Sequence, residues 1–123
     1  MARFDGKIAV VTGAGGGIGR ATAEGFAADG GSVAVVDIRQ ELLDTVVPAI
    51  VAAGGRAIGI RADVSQPDDA RRIASETVAA FGGIDVLVNN AAIELYGTVV
   101  IPRVRELLAQ DPAEALGIAA LRV

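Results

Sequence analysis

The stretch VVTGAGGGIGRATA at residues 10–23 constrains this chain more than any other feature. An apolar run passes directly into five glycines within seven residues, Gly13, Gly15, Gly16, Gly17 and Gly19, and then into a segment of helical pattern. With no side chains in the way, the backbone N–H groups of such a turn can approach a bound group closely. The helix that follows adds about half a positive charge at the same point, which suits a phosphate. A strand–turn–helix unit of this kind needs a sheet around it.

The remaining sequence supplies one. Residues 7–12 (KIAVVT), 32–37 (SVAVVD), 56–61 (RAIGIR) and 85–89 (DVLVN) read as strands, the first two as nearly continuous apolar runs of the sort buried on both faces. Between them lie helical patterns at 18–29, 39–53 and 67–81. The first of these is expected to bury Ile18, Ala21, Gly25 and Ala28, with Phe26 at the margin, and to end at Gly30 and Gly31. Pro48 is expected to kink or restart the second. Pro67 opens the third, with Asp68 and Asp69 near its positive end. Alternating strands and crossover helices imply an α/β fold: a Rossmann-like, doubly wound parallel sheet.

Composition narrows the chemistry. The 123 residues are 52% hydrophobic and 21% charged, enough for one modest core. There is no cysteine, hence no disulfide or thiolate chemistry, and no histidine, hence no Ser-His pair and no ordinary zinc site; no metal is expected. A net charge of −4 argues against a nucleic-acid partner. No stretch approaches the length of a membrane span, and MARFDGKIAVVTG lacks a signal-peptide core, so a cytoplasmic protein with no membrane partner is expected.

The glycine spacing is T-G-x-x-x-G-I-G, carried by Thr12, Gly13, Gly17, Ile18 and Gly19, and not the common G-x-G-x-x-G. At the end of a first strand, this variant resembles the short-chain dehydrogenase/reductase family. Three further stretches agree in order: Asp37 at the end of the second strand, Asp63-Val64 after the third, and Asn89-Asn90-Ala91-Ala92 after the fourth, with alanine where the family has glycine. The resemblance covers about residues 5–93. It implies a dinucleotide whose pyrophosphate lies on Gly13, Gly15, Gly16, Gly17, Ile18 and Gly19. Asp37 would accept bonds from the adenosine ribose. Asp63 and Val64 would border the adenine, and Asn89 and Ala91 would also contact the cofactor. NAD is expected over NADP, because Asp37 would repel a 2′-phosphate and Gly16 is not basic; Arg39 is the nearest cation that could offset this.

The resemblance also implies a serine and a Tyr-x-x-x-Lys pair. Here the one tyrosine, Tyr96, is followed four residues later by Val100, and the one lysine, Lys7, opens the first strand. Ser32, Ser65 and Ser75 all precede the fourth strand, so no catalytic residue is assigned. Residues 1–96 read as the cofactor-binding half of a truncated fold and 97–123 as a divergent tail, with a helix at 103–110 and a helix start at DPAE. A strand order of 3-2-1-4 would leave the fourth strand at an edge, covered by the tail or by a second copy in a homo-oligomer. Three functional readings follow: an oxidoreductase relative, a non-catalytic dinucleotide-binding or interaction module, and a truncated or frameshifted product of a longer dehydrogenase gene.

Overall fold

The computed structural model describes residues 2–91. The expectations for Tyr96, the tail from residue 97 and its helices lie outside the described residues. Four strands, β1 (Ile8–Thr12), β2 (Ser32–Asp37), β3 (Arg56–Arg61) and β4 (Val86–Val88), alternate with helices α1 (Gly17–Ala28), α2 (Gln40–Ala52) and α3 (Pro67–Phe81). All strand pairs are parallel and the order is β3-β2-β1-β4, as the alternation requires.

Successive side chains of β1 and β2 enter opposite layers, and both layers are dry. Ala9, Val11, Val33 and Val35 pack with Ala23, Phe26, Leu43, Val46 and Ile50 of α1 and α2. Val10, Ala34 and Val36 pack with Ile60, Ala62 and Ile73 on the α3 side. This two-sided burial explains why these strands read as unbroken apolar runs. Outward, β3 carries exposed Arg56 and Arg61 at its two ends, charges that discourage pairing at a free edge.

The structure corrects three sequence expectations. First, α1 buries Gly19, Ala23, Phe26 and Ala27, whereas Ile18 is 77% exposed and Ala21, Gly25 and Ala28 face solvent. Close approach of Gly19 to the turn sets the rotation of the helix, and Phe26, stacked on Phe4 at 4.5 Å, completes the inward face. Second, α2 runs unbroken through Pro48. Pro48 and Asp44 both lie on the exposed side, where the Asp44 carbonyl that loses its N–H partner is open to water. Third, β4 is shorter than the expected 85–89. At its start Asp85 uses its side chain to accept the Ile8 N–H (2.8 Å), and beyond its end Asn90 bonds the Thr12 hydroxyl in place of a backbone ladder partner.

Candidate cofactor site

The carboxyl ends of all four strands meet on one edge of the sheet. In register, Thr12 stands beside Val36, Asp37 beside Arg61, and Val11 beside Val88. The loops leaving this edge carry every sequence-predicted site residue: Gly13 to Gly19 after β1, Asp37 at the end of β2, Asp63 and Val64 after β3, and Asn89 and Ala91 after β4. In a doubly wound sheet this edge is where ligands bind.

The glycine turn leaves β1 with Gly13 at φ +62° and enters α1 with Gly17 at φ +55°, backbone angles that side chains resist. Ala14 N–H donates to the Val36 carbonyl at 2.9 Å, stitching the turn to β2. The five glycines then divide by role. A Cβ on Gly19 would collide with the Gly13 carbonyl and the Asn90 side-chain amide. On Gly15 it would meet Leu42 Cβ at 2.6 Å and Asp37 Oδ2 at 2.7 Å, and on Gly13 it would press on Asn90 and Ala91 at 3.1 Å. These three serve close packing. On Gly16 and Gly17, a Cβ would meet nothing within 4 Å. The open space that only a missing side chain preserves is therefore at Gly16 and Gly17.

That space lies at the N-terminus of α1. The first intrahelical bond is Arg20 N–H to the Gly16 carbonyl, so Gly17, Ile18 and Gly19 have N–H groups with no acceptor inside the helix. Gly16, as N-cap, offers no side chain to satisfy them, and the first turn holds no acidic residue. An uncapped helix start facing open space is suited to an external anion. By the same test, the residues present fit the pyrophosphate of a dinucleotide.

Asp37, at the end of β2, accepts Gly15 N–H at Oδ2 and Arg39 N–H at Oδ1, each at 3.0 Å. Arg39 itself pairs with Glu41 at 3.1 Å, both side chains being well exposed. A buried hydroxyl joins the turn to the loop after β4. Thr12 donates to the Val88 carbonyl (3.3 Å) and accepts N–H bonds from Asn90 and Ala91 (3.1 Å each). The Asn90 amide in turn donates to the Gly13 carbonyl at 3.1 Å. Asn89 is exposed beside this junction. Asn90 thus bonds the backbone as a loop-forming residue, and a hydroxyl at the last position of an otherwise apolar strand is the sequence signal of the Thr12 cross-link.

On the β3 side, Asp63 closes a turn. Its carboxylate accepts the Ser65 hydroxyl at 2.6 Å and the Ser65 N–H at 2.9 Å, while its own N–H donates to Asp69 at 2.8 Å. Val64 projects from this turn, 41% exposed. The Ser65 side-chain hydrogen bond, then the Ser65 backbone bond, hold the Asp63 carboxyl below its ordinary value. A group whose folded value is depressed contributes stability above its unfolded pKa and loses it as pH falls through the folded one. Ser65→Ala is expected to raise the Asp63 carboxyl back toward the ordinary carboxylate range in an NMR titration; an unchanged titration would remove the hydroxyl as the main cause.

The family model for short chain dehydrogenases matches residues 7–111, continuing past residue 93, where the motif resemblance stops. A 2,5-dichloro-2,5-cyclohexadiene-1,4-diol dehydrogenase of Sphingobium indicum is 46% identical over 97 residues, covering 79% of this chain and 38% of that protein. A short-chain dehydrogenase/reductase of Burkholderia phymatum, solved in complex with NAD, superposes with a TM-score of 0.67 at 41% identity, covering 71% of this chain and 31% of that one. The L-sorbose reductase of Gluconobacter frateurii, solved with NADPH and L-sorbose, gives 0.69 at 36% identity, covering 72% and 34%. The chain thus spans well under half the length of the proteins it matches. Among the described residues no helix is long and apolar enough to cross a membrane. By its motif order, its parallel sheet and these matches, the chain belongs to the short-chain dehydrogenase family, oxidoreductases that bind a nicotinamide dinucleotide on a Rossmann-like fold.

Proposed function

We propose that this chain is the dinucleotide-binding part of an oxidoreductase and that it takes NAD(H) in preference to NADP(H). The observation that carries this reading is the uncapped start of α1 under the open positions Gly16 and Gly17, with the Asp37 carboxylate one strand away. The pyrophosphate lies along the turn from Gly13 to Gly19, over the N–H groups of Gly17, Ile18 and Gly19. Asp37 takes the adenosine ribose, and its charge opposes a 2′-phosphate. Arg39, the cation that could offset that repulsion, already shares its charge with Glu41. Val64 and the turn at Asp63 border the adenine; Asn89 and Ala91, at the end of β4, border the rest of the cofactor.

A bound nicotinamide accepts or gives up a hydride. The residues of this chain bind and orient it, and none of them is assigned the proton transfer, since Tyr96 has no lysine four positions on. Titration of the protein with NADH and NADPH, followed by cofactor fluorescence, tests the reading. Saturable NADH binding with weaker NADPH binding is expected. Saturable binding of neither, or tighter binding of NADPH, would contradict it.

We propose further that the chain assembles with a second copy of itself. Within the four-stranded sheet β4 is an outer strand, and Val86 and Leu87 are 37% and 58% exposed. Each large apolar side chain left wet forgoes about 1.5–3 kcal/mol of burial. A second copy of the chain covering this margin would recover the part of it that the remaining exposure of Val86 and Leu87 represents. Sedimentation equilibrium at micromolar concentration is expected to give at least the dimer mass; a monomer mass throughout would refute the assembly.

A further inference from the structure

The Asp37 carboxylate is placed for a second task besides meeting a ribose. Its two oxygens accept N–H groups from two different loops, Gly15 in the turn after β1 and Arg39 in the turn before α2. Its backbone carbonyl accepts Ala62 N–H at 3.1 Å from the segment after β3. One residue therefore ties together three of the four loops at the ligand edge. Gly15 itself is buried, and a Cβ there would meet Asp37 Oδ2 at 2.7 Å, so carboxylate and turn are in direct contact. Bonds from N–H groups to a charged oxygen are about twice as strong as neutral ones.

We infer that Asp37 is a positioning residue for the glycine turn, clasping it in the shape that presents Gly16 and Gly17 to a phosphate. This rests on the cofactor reading above for its consequence in binding, but not for the clasp itself. The clasp changes what removal of Asp37 should do. If the carboxylate only discriminated between ribose forms, Asp37→Ala would lose NADH and gain NADPH, because a repulsive charge has gone. If it also shapes the cradle, both cofactors lose, since both lay their pyrophosphates on the same turn. Cofactor preference is then to be altered at Ile38 or Arg39 with the carboxylate kept, not at Asp37.

Amide hydrogen exchange on the cofactor-free chain of residues 1–123, followed residue by residue by NMR, tests the clasp without any cofactor. In Asp37→Ala the Gly15 and Arg39 amides should exchange about tenfold faster or more, the scale of a lost charge-assisted bond, while Val10 and Val35 keep their rates. Asp37→Asn is the second variant, nearly the same in shape. Its single carbonyl oxygen can serve one of the two loops, so one of the two amides should lose protection and the other keep it. Unchanged Gly15 exchange in both variants would overturn the inference. The same variants titrated with NADPH give the functional arm: weaker binding than wild type is expected, and tighter binding in Asp37→Ala would overturn the positioning role. Absence of NADH and NADPH binding in the wild type would instead count against the proposed function, with the exchange rates still deciding the clasp.

Discussion

Gly19→Ala is expected to destabilise the protein by about 2–3 kcal/mol, lowering Tm by roughly 10 °C or more. The new methyl would be driven into the Gly13 carbonyl and would stand 2.5 Å from Asn90 Nδ2 and 2.9 Å from the Gly13 carbonyl carbon. Two of these three atoms are backbone, in a turn pinned on both sides by hydrogen bonds, so no side-chain rotation relieves the clash. Either α1 lifts from the sheet, opening the layer around Ala23 and Phe26, or the turn shifts and gives up the Asn90 bond. By contrast Gly16→Ala, at an extended N-cap with φ −164° and nothing within 4 Å, should change stability little while crowding the ligand space. Thermal unfolding of the two variants side by side separates packing from binding. Equal stability of Gly19→Ala and wild type would refute the packing account.

Thr12→Val is the second large effect. Valine keeps the shape of threonine and removes only the hydroxyl, which is 5% exposed with its residue and holds three backbone groups. Without it, the N–H groups of Asn90 and Ala91 and the Val88 carbonyl lose their partner at the end of β4. Each buried polar group left unsatisfied costs about 1–3 kcal/mol, and partial access to water at this edge keeps the sum near 2–3 kcal/mol. Thr12→Ser retains the hydroxyl and should stay within about 1 kcal/mol of wild type. Denaturant unfolding checks both. A valine variant as stable as the serine one would mean that the hydroxyl holds nothing together.

Much of the fold was legible because its signals are local and redundant. Buried parallel strands need apolar side chains on both faces, so KIAVVT and SVAVVD read as strands without ambiguity, and the helices between them force parallel pairing. The candidate site was legible in its placement, by the glycines packed too closely for a side chain at Gly15 and Gly19 and by the acid that ends β2. What sequence did not reveal depends on atoms brought together from afar. Ile18 looked like the inward residue of α1 because it is apolar; the backbone contact between Gly19 and Gly13 turns it outward instead. Apolar character could not show this, because Gly19 packs by having no side chain at all. Asp37 read as a ribose acceptor, and its bond to Gly15, 22 positions away, appears only when the sheet is assembled. Pro48 signalled a break by its local rule, yet a proline on the exposed side of a helix anchored by Leu43, Val46 and Ile50 is tolerated.

The proposed cradling of a pyrophosphate by the turn from Gly13 to Gly19 leaves a signature on the backbone amides of that turn. A map of backbone amide shifts on adding NADH to the isotope-labelled protein tests it most directly. The largest changes are expected on Gly16, Gly17, Ile18 and Gly19, with smaller ones around Asp37 and Asn90. Changes confined to other surfaces, such as the exposed side of α3 or the groove that Ala27 and Ala28 of α1 form with Ala49 and Ile50 of α2, with the glycine turn silent, would contradict it.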